Sequence, residues 1–347
     1  MPRALNAGAR RALASFVQQI IPRRISLVYP LLALSLAASA YSQEVAPGPP
    51  LPPPIRVQVT EVSIGVTVTG ARGSFVKGLH ANDFRVFDNG APRPIISFLS
   101  DDDPGSVVLL LETGPGAFLN EANELHAAAM FLESLPASYR VAIVSYSRNP
   151  ALLLDFTADK TVARGALAAM NFKAGYSELN LVDCVVSTID WLAALPGKKT
   201  IVLLSSGIDT SSRWSWPLAQ QKIFASGVRI LAVSVTEEMR RPPKRKVLSR
   251  EQRESLKYVQ TNAADADRGL RQLAEPTGGQ VYFPKNEKEF GRAFSKLAQS
   301  VSHEYRFSIA PTPPDGQLHT LDVKVNRPWS NIDFRKGYFI PSPSAHE

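Results

Sequence analysis

The chain has one cysteine, Cys184, in 347 residues, and five histidines, at positions 80, 126, 303, 319 and 346. A single thiol excludes an intramolecular disulfide framework and any cysteine-built zinc site, and histidines so scattered argue against a His-rich metal enzyme. A strong charge of one sign is missing too. The formal net charge is +8, but Arg3, Arg10, Arg11, Arg23 and Arg24 stand among the first 40 residues without an acid, which leaves +3 for the remainder. A nucleic-acid binder keeps a much larger basic surplus, so no nucleic-acid partner is expected. Catalytic signatures are absent: there is no Gly-x-Ser-x-Gly elbow, no phosphate-binding Gly-x-x-x-x-Gly-Lys and no His-Glu-x-x-His. The chain is read as no enzyme. With 44 % hydrophobic and 20 % charged residues it has the balance of a globular protein, which excludes wholesale disorder.

What is present begins with a leader. Arg23-Arg24, the apolar run 25–38 and Ala38-Ser39-Ala40 before polar Ser42-Gln43-Glu44 read as a secretory signal peptide over 1–40. The run is shorter than the ~20 residues of a bilayer span and is interrupted by Pro30, so membrane contact is expected only through an uncleaved leader. The protein is expected to be exported, to the periplasm or the extracellular space. Six prolines in 41–54 make a semi-rigid linker.

From position 55 the pattern has period two. Val62, Ile64, Val66 and Val68 alternate with Ser63, Gly65, Thr67 and Thr69, as in a half-buried strand. Residues 84–87, then Asp88-Asn89-Gly90, then 95–98 read as a hairpin on a type I′ turn. Tyr305, Phe307 and Ile309, and then Leu321, Val323 and Val325, repeat this grammar at the far end. Neither end has enough strands to be stable alone, so 55–100 and 303–340 are expected to pair as one β-sandwich.

Between them, over 104–302, continuous apolar strands alternate with helical stretches at about 120–135, 159–170, 180–195, 217–226, 263–275 and 287–301. That is the pattern of an α/β doubly wound, mostly parallel sheet. Its functional crevice should lie beyond the carboxyl ends of the strands, where 112–118, 205–216 and 236–262 would gather. Asp101-Asp102-Asp103-Pro104 reads as a polar hinge between the two parts, and Cys184 as a small core residue.

Several segments in order carry a family resemblance: Val107 to Gly116 (VVLLLETGPG), Lys198 to Asp209 (KKTIVLLSSGID), Gly227 to Val235 (GVRILAVSV) and Leu273 to Phe283 (LAEPTGGQVYF). With Leu79 to Gly90 (LHANDFRVFDNG) and Arg335 to Tyr338 (RKGY) at the flanks, the chain resembles the von Willebrand factor A-related proteins of the acidobacterial type. That resemblance implies a Rossmann-like fold with a metal-ion-dependent adhesion site: Asp-x-Ser-x-Ser after the first strand, a threonine on a later loop, and an aspartate after the fourth. Mg²⁺ takes oxygen ligands in near-octahedral geometry, and a partner's carboxylate can complete them. At the matching positions stand Glu112, Gly114, Gly116 and Ser206, with Asp209 nearby and no clear threonine in Ser177-Glu178-Leu179-Asn180. Two hydroxyl ligands are missing outright. The expectation is a degenerate site that needs no cofactor, on a protein-binding or adhesion module. Two alternatives stand beside it: a metal-dependent module holding Mg²⁺ on Glu112 and Asp209, and a hydrolase-like activity in the crevice.

The same rim carries charge. Residues 237–257 hold eight cations against four acids, a larger surplus than that of the whole chain without its leader. Arg240, Arg241, Lys244, Arg245 and Lys246, with Trp214 and Trp216, are the candidates for meeting an unidentified, acidic protein partner. The bland alternatives are a solvated loop and tryptophans that pack on the following helix.

Overall fold

The computed structural model describes residues 61–119, 121–172, 177–237 and 248–342, all within one compact unit, Pro54–Glu347. The leader, the linker, residues 55–60 of the N-terminal flank and the basic run Arg240, Arg241, Lys244, Arg245 and Lys246 lie outside the described residues.

The chain opens with β1 (Val62–Thr69), β2 (Phe84–Asp88), β3 (Ala91–Arg93) and β4 (Ile95–Leu99). Its middle runs β5 (Gly105–Glu112), α1 (Pro115–Leu119), α2 (Glu121–Ser134), β6 (Arg140–Tyr146), β7 (Pro150–Thr157), α3 (Lys160–Ala168) and α4 (Leu181–Ala193). It continues through β8 (Lys198–Ser205), α5 (Trp216–Ser226), β9 (Arg229–Ser234), α6 (Arg250–Ala274), β10 (Val281–Tyr282) and α7 (Glu287–Ser302). The last strands are β11 (Tyr305–Ile309), β12 (Leu318–Val325), β13 (Asn331–Phe334) and β14 (Gly337–Phe339).

The central sheet has the order β10-β9-β8-β5-β6-β7. All its pairs are parallel except β6 with the edge strand β7. Every residue of β5 is buried, because helices cover both faces. On one face Val107, Leu109 and Leu111 pack with Phe131 of α2, Leu167 of α3 and Phe294 of α7. On the other, Val108 and Leu110 pack with Cys184 of α4, Ile223 of α5 and Leu270 of α6. The single thiol is thus core, and burial pushes it up to about 12. Chain order reverses between β5 and β8, and that switch point puts the crevice beyond Glu112 and Ser205.

Two antiparallel sheets, β13-β1-β11-β4 and β14-β12-β2-β3, form the sandwich, and each takes strands from both chain ends. The period-two residues Ile64, Val66, Phe307, Leu321 and Val323 meet in its interior.

Two local expectations need correction. The turn at Asn89 (φ 48°) and Gly90 (φ 82°) is left-handed at both residues, as a type I′ turn requires. It joins β2 to the short β3, however, and the run from Ile95 crosses to the other sheet and pairs with β11. Pro94 separates the two strands and offers no N–H to continue the ladder. The second correction is α6, which starts at Arg250 rather than near 263. Ser249 Oγ accepts from Gln252 N and Gln252 Oε1 accepts from Ser249 N, a reciprocal cap. Val259, Ala266, Leu270 and Leu273 supply the buried stripe, so Arg250, Arg253 and Lys257 ride on a helix surface.

The sandwich is bound to the amino end of the central sheet by buried charge. Glu304, between α7 and β11, meets Arg229 Nη1 at 3.4 Å through Oε2 and Arg306 Nε at 2.9 Å through Oε1. Arg229 also donates to Ser300 O, Gly278 O and Thr67 Oγ1, and Arg306 to Gly227 O and Ser63 Oγ. At the expected hinge, Asp103 Oδ2 accepts from Ser100 N, and the Asp101 carbonyl accepts from buried Lys198.

Candidate functional site

Glu112 ends β5 and lies directly beside Tyr146, its parallel partner on β6. Its carboxyl is wholly buried. Oε2 accepts from Ser206 N and Ser206 Oγ, both at 2.7 Å, from Ser205 Oγ at 3.2 Å and from Tyr146 OH at 3.3 Å. Oε1 has no partner. Burial pushes the Glu112 carboxyl above the ordinary carboxylate range, and the bonds from Ser206, Ser205 and Tyr146 pull against that rise. The side chain therefore turns inward, onto the β8 terminus, and not out to solvent.

The glycines that follow make this possible. A Cβ at Gly114 would come within 2.6 Å of Leu179 Cδ2 and 3.1 Å of Glu112 Oε1. One at Gly116 would lie 3.0 Å from Ser206 Cβ and 3.1 Å from Thr236 Cγ2. The space that serine side chains would take is thus filled by the longer acid at 112 and by Leu179. Leu179 stands in the loop where the resemblance implies a threonine oxygen, and packs with Ile208, Val259 and Ala266.

Asp209 is separate. Its Oδ1 accepts from Ser212 Oγ at 2.5 Å and Val182 N at 3.4 Å, so it braces the loop after β8 against α4 and shares no partner with Glu112. Among the described residues no group of three or more His, Cys, Asp or Glu side chains converges as a metal set. Among the described residues the hydroxyls of Ser205 and Ser206 bond with Glu112, Tyr146, Gly207 and Ile208, none of them a histidine.

The tryptophans are placed by Asp183 in the first turn of α4. Its Oδ1 accepts from Arg213 N at 2.8 Å and Trp214 N at 3.0 Å, which pins the loop entering α5. Trp214 is exposed, whereas Trp216 packs on Val182, Val186 and Ala219 and keeps a buried indole N–H without an acceptor among the described residues. Arg240, Arg241, Lys244, Arg245 and Lys246 are outside the described residues, which stop at Glu237 and resume at Leu248. Neighbouring Arg250 is paired to Glu254 at 2.9 Å across one helical turn.

Sequence reasoning missed Tyr146 and Glu124, and named Ser205 and Leu179 without placing either against Glu112 or Gly114. Tyr146 and Ser205 end strands adjacent to β5, a signal available once the parallel register is drawn. Glu124, on α2, carried no signal beyond its helical position. Both its oxygens are buried without partners among the described residues, and burial, then the nearby Glu112 and Glu121, push its carboxyl well above the ordinary range. A carboxyl whose folded pKa is raised penalises folding least below its unfolded pKa and increasingly as pH rises towards the folded one. Glu124→Leu should therefore raise stability by about 1–3 kcal/mol at pH 8, the desolvation cost of an unsatisfied buried group, with a smaller gain at pH 5. Urea unfolding at the two pH values checks this; a variant no more stable than the parent at pH 8 would contradict it.

No family model and no curated protein matches the chain. Among solved structures, proximal thread matrix protein 1 from the mussel byssus aligns at TM-score 0.42 and 8 % identity over 68 % of this chain and 50 % of its own. A von Willebrand factor type A protein from Catenulispora acidiphila aligns at 0.42 and 10 % over 82 % and 75 %. The PilB minor pilin from Streptococcus sanguinis aligns at 0.40 and 11 % over 60 % and 63 %. The likeness is distant and lies in the fold. This chain spans about half the length of the mussel protein.

Proposed function

We propose that the chain is an exported, non-enzymatic protein-interaction module of the von Willebrand factor A-related kind that acidobacteria encode, its metal position closed from inside. The observation that carries this reading is the inward Glu112. Its Oε2 is committed to Ser206, Ser205 and Tyr146, and Leu179 occupies the approach over Gly114. A side chain so held has no free face for a partner's carboxylate to meet through an ion.

The rim offers fixed charge in the ion's place. Eight cations in 237–257 can attract an acidic surface to the carboxyl end of the sheet without coordination geometry. Export is supported by the basic, apolar and small-x-small order of the leader. The Debye length is about 8 Å at physiological ionic strength, so such binding falls steeply with added salt. The test captures the partner from the native envelope fraction and measures its affinity for the chain with Arg240, Arg241, Lys244, Arg245 and Lys246 replaced by serine. A loss of about tenfold or more is expected at physiological salt, with no change on adding EDTA. Unchanged affinity, or affinity abolished by EDTA, would overturn the reading.

A further inference from the structure

Among the described residues the three sheets end on six edge strands. Five are short: β10 has two residues, β3 and β14 three each, β13 four and β4 five. A short edge offers little main chain to another strand. β7 is the exception, with eight residues (PALLLDFT), one partner strand, β6, and a single charged side chain, Asp155. Pro150 stands at its first position, and β7 bulges at Leu153 and again at 155–156, where it carries one residue more than β6. Bulges commonly guard an edge, but here the side chains left outside are Leu152, 55 % exposed, and Leu153, 40 % exposed. A long edge strand with leucines outermost and no lysine is an open template for pairing.

A strand pairs antiparallel with its own copy about a two-fold axis perpendicular to the sheet, through a residue that faces itself. An axis at Leu153 keeps nearly all of β7 paired: Leu152 lies opposite Leu154, Ala151 opposite Asp155 and Pro150 opposite Phe156. The two Asp155 carboxylates then stand four residues apart along the strands, about 14 Å at about 3.4 Å per residue. That exceeds the Debye length of about 8 Å. An axis at Leu154 would halve the separation and set the two acids diagonal to each other, and an axis nearer Pro150 would leave more of the strand unpaired. Charge and overlap thus select one register. We propose that the chain forms a homodimer through β7, joining two six-stranded sheets into one. The contact is a strand pair and four exposed leucines, small among interfaces, so the dimer dissociates in the micromolar range. The axis reverses strand direction, so the two carboxyl rims face opposite ways and the dimer can bridge two partners. That consequence rests on the rim's being the partner-facing surface; the pairing itself does not.

The test needs no partner. The full chain should sediment as a monomer–dimer equilibrium, and Leu153→Lys, which sets two ammonium groups face to face, should raise the dissociation constant at least about tenfold. Register is read with cysteines, because Cys184 is buried and an introduced thiol is the only accessible one. Directly opposed residues have Cα atoms about 4.5–5.5 Å apart, within disulfide reach. Under mild oxidation Leu153→Cys should therefore crosslink to its own copy. Ala151→Cys and Asp155→Cys should each stay uncrosslinked alone and join each other when mixed. A chain that sediments as a monomer at every concentration reached, association untouched by Leu153→Lys, or crosslinking equal at all three positions would overturn the proposal. Failure here leaves the capture experiment standing, and failure of that experiment leaves the dimer measurable.

Discussion

Replacing Glu304 with glutamine is expected to cost about 3–5 kcal/mol, the penalty for removing one partner of a buried ion pair. At this chain length that lowers the melting temperature by on the order of 10 °C. Arg229 and Arg306, 2 % and 3 % exposed, would keep their charges in the interior with no counter-charge between them. Their remaining partners are carbonyl and hydroxyl oxygens, which satisfy the N–H groups but not the net charge. Lys198 and Arg335 are buried in the same region, and burial, followed by repulsion from Arg306, already pulls Arg335 down to about 9. Burial alone would raise the Glu304 carboxyl; Arg306 and Arg229 outweigh it and hold the group below the ordinary carboxylate range. A depressed folded pKa contributes stability that is present above the unfolded value and lost as pH falls through the folded one. The parent should thus lose this contribution only in acid, below about pH 4, and Glu304→Gln should lack that part of the acid limb. Equilibrium unfolding between pH 3 and 8 measures both effects. Removing the exposed Arg250–Glu254 pair serves as the control that leaves the midpoint unmoved. A Glu304→Gln protein with parental stability at pH 7 would refute the role given to this network.

The parallel sheet was legible because its strands are continuous apolar runs flanked by helical periodicity, a pattern that few folds produce. The flanking sandwich was legible from alternation, and Val66 does face the interior opposite β11. What alternation cannot show is which sheet a strand joins. Ile95 alternates as well in either sheet, and only the break at Pro94 and the pairing with β11 decide. The full length of α6 was hidden by charge: the cations at 250, 253 and 257 drew attention from the Ser249-x-x-Gln252 cap beside them. At the site, composition at 112, 114, 116 and 206 showed what was missing. It could not show what took the place of the missing groups. That depends on Leu179, which lies 65 positions from Gly114 in sequence and reaches it only through the fold. The buried Glu124 and the salt-bridged joint at Glu304 are of the same kind, since burial of a polar residue leaves no mark on a single sequence.

The closed interior predicts that restoring the two missing hydroxyls will harm the protein. Gly114→Ser and Gly116→Ser would rebuild the residue types that the family resemblance implies, yet each is expected to destabilise by about 1–3 kcal/mol through overpacking. At 114 the new Cβ meets Leu179 Cδ2 at 2.6 Å, and Leu179 is fully buried among Ile208, Val259 and Ala266, so it has little room to retreat. At 116 the obstruction is milder, 3.0 Å to Ser206 Cβ, but Ser206 is held by two bonds to Glu112. A double-mutant cycle separates this clash from a generic loss. Leu179→Ala costs stability on its own by opening a cavity, but it removes the atom that the new side chain at 114 would strike. Gly114→Ser combined with Leu179→Ala should therefore be more stable than the sum of the single changes by roughly 0.5–3 kcal/mol. Millimolar Mg²⁺ should raise the melting temperature of none of these variants, because Glu112 still points inward at Ser206. Strict additivity would place the obstruction elsewhere. A Gly114→Ser, Gly116→Ser protein that melts with the parent and gains a Mg²⁺ response abolished by Glu112→Gln would show an open site, and the metal-dependent reading of Glu112 and Asp209 would replace the one argued above.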